Sequence, residues 1–273
     1  MPEKPEVITV VGSLKTLILD KTITDCNVFW NNIIATPSTD EFKRRIINQK
    51  INSITTRGKF IAMELDRDYL LVHLRMEGKF IFRKPGAVIA PHEHVELILN
   101  GNISFRFQDV RKFGKMYLID KDIINDVKPI SELGLEYNDP NLTGDYLYNA
   151  IHKKRIAIKT VLLDQSIICG IGNIYDDEIL FMCGISPLRR ACDVTLEDCN
   201  NIVKNLVIVM EKAIKLGGTT IRSFTSSEGV HGRFQNELLV HGKAGMKCPV
   251  CGNKLLKIRV GGRGTDYCEF CQK

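Results

Sequence analysis

The chain has 273 residues, which is long enough for two domains of ordinary size. Hydrophobic residues make up 44% and charged residues 26%, the balance of a globular protein rather than of a disordered one. No run of eighteen apolar residues occurs and the first residues lack a signal-peptide pattern, so the sequence predicts neither a membrane span nor export. The net charge of +6 is compatible with a polyanionic partner but does not identify one.

The first half of the chain predicts one helix followed by β-structure. Pro5 suits the first turn of a helix, and apolar residues recur at helical spacing as far as residue 17. Asn100-Gly101-Asn102 stands between two β-rich runs and predicts a hairpin. The β-rich runs lie at residues 59–65, 69–75, 79–83, 94–99 and 103–107. We therefore expect antiparallel sheets in two packed layers.

The second half predicts helices and then a small ribbon. Residues 128–145 are rich in turn-forming residues and mark a domain boundary. Helices are predicted over residues 155–163 and 173–183, and a third begins after Thr195, whose spacing to Asp198 resembles a capping box. Gly217 and Gly218 end that third helix.

Four cysteines near the C-terminus have the spacing of a zinc site: Cys248, Cys251, Cys268 and Cys271. Four thiolates close a tetrahedron around Zn²⁺ and leave no position for water or substrate, so we expect one structural zinc ion. Residues 254–260 between the two pairs predict a strand, and residues 261–264 predict a turn that projects Arg263. The five other cysteines show no pairing pattern and are expected to be free thiols.

Two further motifs admit a binding role or a purely structural one. Gly170 and Gly172 precede a predicted helix, where backbone N–H groups can meet a phosphate, although glycines also serve tight turns between helices. Arg111 and Phe113 follow the hairpin, where a cation and an aromatic ring could enter a DNA duplex together. On the residues alone, Phe113 and Met76 are better explained as core side chains.

The N-terminus could supply a nucleophile. Removal of Met1 would leave Pro2 as a free secondary amine, and an α-amino group has a pKa of ~7.7–8.0 against ~10.4 for lysine. Such an amine can attack a carbonyl-like carbon and form an iminium, and Glu3 beside it could move protons. A Met-Pro-Glu start is common, so this observation is not specific by itself.

Together these motifs resemble those of the formamidopyrimidine-DNA glycosylases (Fpg) over essentially the whole chain. In the first half the matching segments are Pro2-Glu3, Pro5-Glu6-Val7, Arg57-Gly-Lys59, His73-Leu-Arg-Met76, His92-Glu-His94 and Asp109-Val-Arg111-Lys-Phe113-Gly. In the second half they are Leu163-Asp-Gln165, Gly170-Ile-Gly172-Asn173-Ile-Tyr175, Gly217-Gly-Thr-Thr-Ile-Arg222 and Gly262-Arg263-Gly-Thr265.

The resemblance implies a bifunctional base-excision repair enzyme that flips 8-oxoguanine or a formamidopyrimidine out of duplex DNA. Pro2 would attack C1′ and hold the opened sugar as a Schiff base, and Glu3 would give a proton to the sugar ring oxygen. Elimination of the 3′ phosphate would be assisted by Lys59, and elimination of the 5′ phosphate by Arg263. The implied partner is damaged double-stranded DNA, with no obligate protein partner, for a monomer in a bacterial-type cytoplasm.

The resemblance also assigns binding roles and an architecture. Met76, Arg111 and Phe113 would fill the space left by the flipped base. Side chains implied to hold the DNA backbone are His92, Lys154, Lys159 and Asn173, with Gly170 and Gly172 in the phosphate-binding turn. The implied fold class is α+β, with an N-terminal antiparallel β-sandwich flanked by helices, then a helix–two-turn–helix domain, then the zinc ribbon. The expected bounds are residues 1–130, a linker over 131–145, residues 146–235 and residues 236–273, and residues 219–233 are expected to form a loop over the flipped base.

The sequence departs from the family pattern at a few positions and leaves two alternatives. Lys4 and Ile8 stand where leucine and glutamate are usual, and Asp266 where histidine is common. Asp176 and Asp177 add negative charge where it would repel phosphate. One alternative is an endonuclease VIII-like enzyme for oxidised pyrimidines, against which the run from residue 109 to 114 argues. The other is a non-catalytic zinc-ribbon DNA-binding protein, in which Pro2 would be dispensable.

Overall fold

The computed structural model describes residues 1–219 and 232–273 and consists of two compact units. The N-terminal unit comprises Met1–Ser131 with Gly217–Gly232, and the C-terminal unit comprises Glu132–Leu216 with Arg233–Lys273. Of the linker expected over residues 131–145, residues 132–145 therefore belong to the C-terminal unit. No helix in the described ranges is both long and apolar enough to cross a membrane.

The N-terminal unit contains helices α1 and α2 and, in its described part, two sheets. The helices are α1 (Lys4–Ile18) and α2 (Thr39–Ile46), and the strands are β1 (Ile23–Val28), β2 (Ile34–Thr36), β3 (Ser53–Arg57), β4 (Phe60–Glu64), β5 (Asp68–His73), β6 (Lys79–Arg83), β7 (Glu93–Leu99), β8 (Ile103–Gln108) and β9 (Lys115–Asp120). One sheet has the order β2-β9-β5-β4-β3 and the other β1-β7-β8-β6. All neighbouring strands are antiparallel except β2 and β9.

A single apolar core joins α1 and both sheets of this unit. Val7, Leu14 and Ile18 of α1 are buried in the same cluster as inward residues of both sheets, because their spacing places them on one helix face. Phe80 stacks on Phe105 with ring centroids 4.4 Å apart. The expected helix and the expected β7–β8 hairpin are both present, and Gly101 adopts a left-handed φ of 83° in the hairpin turn.

The C-terminal unit consists of four helices and a two-stranded ribbon. The elements are α3 (Gly144–Ile151), α4 (Ile158–Leu162), α5 (Asn173–Cys183), α6 (Leu196–Lys215), β10 (Leu256–Val260) and β11 (Arg263–Tyr267). α6 begins with the expected capping box, in which Thr195 Oγ1 accepts from the Asp198 N–H at 3.1 Å and Asp198 accepts from Thr195 N–H.

Two sequence-based bounds in this unit are wrong in detail. The helix expected from residue 155 begins at Ile158, because Ala157 is extended and forms a β-bridge with Arg190. The expected turn over residues 261–264 contains only Gly261 and Gly262, both with left-handed φ. Arg263 is therefore the first residue of β11 and pairs with Val260.

Candidate active site

The first turn of α1 positions Pro2 and Glu3. Glu3 is the N-cap residue, and its backbone N–H donates to Glu6 Oε2 at 2.8 Å, which satisfies one of the amides that a helix start leaves open. Pro2 is buried and Glu3 is only 3% exposed. The two residues expected to carry the chemistry therefore stand in one enclosed and locally defined place.

Glu6 also fixes the segment that follows α6. Its Oε1 accepts from the Thr219 backbone N–H at 2.8 Å and from Thr219 Oγ1 at 3.1 Å. Gly218 lies so close that a Cβ there would be 2.6 Å from Glu6 Oε1, and its φ is +74°. Of the loop expected over residues 219–233, residues 220–231, including Arg222, lie outside the described ranges.

Lys59 lies in the two-residue turn between β3 and β4 and is 6% exposed. Gly58 precedes it with a left-handed φ of 53°, which allows the tight turn. His73 of β5 is the cross-strand partner of Phe60, and burial first, then the charges of Arg75 and Lys59, lower its pKa to about 3. The imidazole is therefore neutral and accepts the Arg75 N–H at Nδ1, at 2.9 Å.

Arg111 and Phe113 stand on an exposed loop between β8 and β9. Phe113 is 49% exposed, so the core interpretation of this residue is wrong. The Arg111 guanidinium lies 4.7 Å from the centroid of the Phe113 ring, a cation–π contact that holds the pair together. The loop thus presents a cation and an aromatic ring side by side.

His92 and Met76 occupy two other turns of the same unit. His92 is exposed, with a left-handed φ of 68°, and its carbonyl accepts from the Asp109 N–H at 3.0 Å. This bond brings His92 to the base of the loop that carries Arg111. Met76 is half-buried in the turn between β5 and β6.

The turn before α5 uses its glycines mainly for structure. Gly170 has a φ of +96°, and its N–H donates to Gln165 Oε1 at 2.9 Å. Because that amide is already engaged inside the protein, the expected phosphate contact of Gly170 does not fit this structure. Gly172 is the N-cap residue of α5 and, like Gly170, is buried.

Asn173, Lys154 and Arg263 all belong to the C-terminal unit. Asn173 begins α5, and its Nδ2 donates to the carbonyl of Gly264 at 2.8 Å, next to the exposed Arg263. The helix start and the ribbon tip are thereby held together. Lys154 is partly exposed in the turn after α3, where its carbonyl accepts from the Cys192 N–H at 2.9 Å.

Lys159 does not face solvent, which contradicts its expected contact with the DNA backbone. Its side chain is 0% exposed, and Nζ lies 2.5 Å from Asp177 Oδ1 and 3.2 Å from Asp176 Oδ2. Burial lowers the pKa of Lys159, but the two carboxylates outweigh burial and the pKa is raised. The expected repulsion of phosphate by Asp176 and Asp177 is wrong for the same reason, since both are buried against this ammonium.

The four C-terminal cysteines converge on one point. One sulfur atom from each lies within 4.8 Å of the others, with 3.8 Å between Cys248 and Cys271 and 3.5 Å between Cys251 and Cys268. Tetrahedral zinc with bonds of about 2.3 Å requires sulfur separations of about 3.8 Å, so the donors fit. These cysteines hold one structural zinc ion, which closes the ribbon of β10 and β11.

Three residues without an assigned role in the sequence analysis prove to organise this site: Glu6, His73 and Asp109. The signal for Glu6 was available, because it stands three residues after the N-cap residue Glu3. His73 and Asp109 are recognisable only once the strands are paired, since their partners are set by cross-strand and loop geometry.

Family comparisons agree over three segments of the chain. Residues 1–116 match the formamidopyrimidine-DNA glycosylase N-terminal domain, residues 133–225 match the formamidopyrimidine-DNA glycosylase H2TH domain, and residues 245–273 match the zinc finger found in FPG and IleRS. Among curated relatives, the formamidopyrimidine-DNA glycosylase of Oceanobacillus iheyensis is 40% identical, over 100% of this chain and 98% of its own. That of Exiguobacterium sibiricum is 44% identical, over 100% of this chain and 99% of its own.

Solved structures give the same result at the level of the fold. Lactococcus lactis Fpg in complex with DNA containing an abasic site superposes with a TM-score of 0.93 at 32% identity, with both chains covered completely. MutM in complex with DNA containing carbocyclic 8-oxo-G has a TM-score of 0.92 at 34% identity, again with complete coverage of both. The chain belongs to the formamidopyrimidine-DNA glycosylase family.

Proposed function

We propose that this chain is a base-excision repair enzyme of the bacterial cytoplasm that removes oxidised purines from duplex DNA and then cleaves the abasic site. The observation that carries the proposal is the enclosed pair Pro2 and Glu3 at the first turn of α1, in a chain with the Fpg domains in order. Relatives of the same fold have been solved with abasic-site DNA and with DNA containing Fapy-dG. For this chain we propose the same class of ligand, bound by a monomer.

The proposed chemistry begins with the Pro2 amine, after Met1 has been removed. The nitrogen lone pair attacks C1′ and the glycosidic bond breaks, so the damaged base leaves with the bonding electrons and takes up a proton. Glu3 takes the proton that the Pro2 nitrogen loses and gives it to the sugar ring oxygen as the ring opens, and an iminium between Pro2 and C1′ results. Glu3 is suited to this step because it is held next to Pro2 and shielded from solvent.

The lyase steps follow from the iminium. It acidifies the C2′–H bond, so loss of that proton expels the 3′ phosphate, and a second elimination expels the 5′ phosphate. Each departing phosphate develops negative charge, which a nearby cation stabilises. We assign Lys59 to the first elimination and Arg263 to the second.

The proposed DNA contacts are chosen both by the resemblance to the family and by what each residue exposes in this structure. Arg111 and Phe113 are exposed as a pair, and we propose that with Met76 they occupy the space left by the flipped base. His92, Lys154 and Asn173 are the proposed backbone contacts, with Gly172 at the start of α5. Lys159 and Gly170 are left out, because the first is enclosed and the amide of the second is engaged.

Borohydride trapping tests the enzyme directly. The substrates are a duplex with one 8-oxoguanine opposite cytosine, a duplex with one oxidised thymine, and an intact duplex. A covalent adduct should form on the 8-oxoguanine strand, and its mass should map to a peptide that begins at Pro2. The Pro2→Gly variant should lose the adduct, whereas Lys153→Ala, at an exposed position outside the proposed site, should retain it.

Two outcomes would contradict the proposal. A zinc-loaded protein with Met1 removed that binds all three duplexes equally and forms no adduct would be a non-catalytic DNA-binding protein. Faster trapping on the oxidised thymine than on 8-oxoguanine would favour the endonuclease VIII-like alternative.

A further inference from the structure

One buried carboxylate stands at the base of the loop that carries Arg111 and Phe113. Asp109 follows β8 and is 0% exposed. Its Oδ1 accepts from the Arg111 N–H at 3.1 Å and its Oδ2 from the Gly114 N–H at 2.7 Å. Both carboxylate oxygens therefore bind the loop's own backbone, at the points where the loop leaves and rejoins the sheet.

The backbone of the same residue binds a second loop. The Asp109 N–H donates to the His92 carbonyl at 3.0 Å, and the Asp109 carbonyl accepts from His94 Nε2 at 2.8 Å. His94 is 5% exposed, so this bond is shielded from water. Asp109 is thus hydrogen-bonded both to the turn of His92 and to the loop of Arg111.

The backbone conformation of the loop is also restricted at Lys112 and Gly114. Lys112 has a left-handed φ of 58°, which is costly for a residue with a side chain, and its ammonium lies 4.0 Å from the centroid of the Trp30 ring. At Gly114, a Cβ would come within 2.6 Å of the Phe107 ring. The loop is held to one shape between the Trp30 ring and the core.

The beginning of the His92 turn is held as well. Arg106 of β8 is 0% exposed and donates to the carbonyls of Ala87 and Val88 at 2.7 and 3.1 Å. It also contacts Glu93 Oε2 at 2.7 Å, immediately after His92. The segment before His92 is therefore held by hydrogen bonds to Arg106 at one end and to Asp109 at the other.

We infer that Asp109 is a positioning residue that joins the His92 turn and the Arg111–Phe113 loop into one preformed DNA-binding surface. The inference rests on the proposed function, because it concerns how the proposed DNA contacts are presented. An exposed aromatic side chain on a rigid loop loses less conformational freedom on binding than one on a flexible loop. Asp109 itself touches no DNA and acts through the residues it holds.

The sharpest substitution is Asp109→Asn. It keeps size and shape but turns one acceptor oxygen into an NH₂ group, which then faces a backbone N–H that needs an acceptor. Loss of one such charge-assisted bond should weaken binding to the 8-oxoguanine duplex about tenfold. The rate of trapping at saturating DNA should change much less, because Pro2 and Glu3 are not held by Asp109.

A double-mutant cycle tests whether the effect passes through the loop. Dissociation constants are measured for the wild type, Asp109→Asn, Phe113→Ala and the double variant, with Asp120→Asn as the matched control at an exposed turn cap. If Asp109 acts by presenting Phe113, the double variant should be little weaker than Phe113→Ala alone. If the two effects multiply, Asp109 does not act through this loop and the inference is overturned.

His94 provides a second pair of variants should Asp109→Asn fold poorly. Glutamine can place an amide N–H near the position of His94 Nε2, so His94→Gln should bind like the wild type. His94→Leu removes the donor and should weaken lesion binding. Equal binding by these two variants would overturn the inference. Failure of the wild type to form a trapped adduct would instead count against the proposed function, since the binding measurements do not depend on trapping.

Discussion

At the scale of single residues, the first turn of α1 and the turn between β3 and β4 bury charged side chains of both signs. Glu3, Lys4, Glu6 and Lys59 are all less than 7% exposed. An isolated buried charge is very costly. Two carboxylates and two ammonium groups buried in one unit can offset one another's charge. Lys4, which departs from the leucine usual in the family, also places Nζ 3.4 Å from the Thr56 carbonyl. The departure therefore adds a positive charge where the chain already buries two carboxylates.

The neutral His73 gives this unit a predictable response to acid. Its pKa is lowered to about 3 in the folded state, so the unfolded chain binds a proton that the folded chain does not. The stabilisation is complete above about pH 6.5 and is lost as the pH falls, by about 1.4 kcal/mol for each pH unit between 6.5 and 3. Urea unfolding followed by fluorescence of Trp30, the single tryptophan of the chain, measures this unit directly.

His73→Gln is the variant that isolates this effect. Glutamine does not titrate, so its free energy of unfolding should depend less steeply on pH below 6.5 than that of the wild type. His152→Gln, in the C-terminal unit, is the control and should leave the slope seen by Trp30 unchanged. If the free energy of unfolding depends on pH equally steeply in the wild type and in His73→Gln, folding does not lower the pKa of His73.

At the scale of secondary-structure elements, Lys159 ties α4 to α5. Lys159→Met should fold with a free energy of unfolding lower by about 3–5 kcal/mol, because Asp176 and Asp177 would lose the buried ammonium group that offsets their charge. Lys153→Met removes an exposed charge from the preceding turn and should cost less than about 0.5 kcal/mol. Calorimetry measures the free energy of unfolding of both variants. Equal values would mean that the Lys159 side chain is not buried against the two carboxylates.

Local signals predicted some elements well and others not at all. α1, α5, α6, the β7–β8 hairpin and the zinc ribbon each carry a cap, a turn or a cysteine pair that acts within a few residues. α2 and α3 were missed although Ser38 and Thr143 cap them, because both helices are short and α3 begins within a segment expected to be a linker. The burial of Lys159 was not predictable, since Asp177 lies eighteen residues away and only the packing of α5 brings it near.

At the scale of the whole molecule, charge should appear in the salt dependence of DNA binding. Each phosphate neutralised contributes about 0.9 to the slope of log K against log salt concentration. Lys154→Ala and Arg263→Ala should each reduce that slope by about 1, weakening binding to damaged and intact duplex alike. Lys50→Ala is the control, because Lys50 pairs with Asp20 and lies outside the proposed surface. An unchanged slope in either test variant would remove that residue from the proposed contacts.

The division of the chain was only partly visible in the sequence. The turn-rich residues 128–145 predicted a boundary, and the two units divide after Ser131, within that stretch. The return of residues 217–219 to the N-terminal unit was not predicted, because it depends on bonds between Thr219 and Glu6, which are 213 residues apart. A helix followed by two glycines indicates where α6 ends and carries no information about which unit the chain enters next.

The bond between Glu6 and Thr219 has a consequence for how the protein is made. The first turn of α1 receives this partner only after more than two hundred further residues have been synthesised. In the finished fold Pro2 is buried and Met1 is only partly exposed, so the bond between them is more accessible while the growing chain is still incomplete. The late arrival of Thr219 therefore keeps open the interval in which removal of Met1 would expose the Pro2 amine that the proposed function requires.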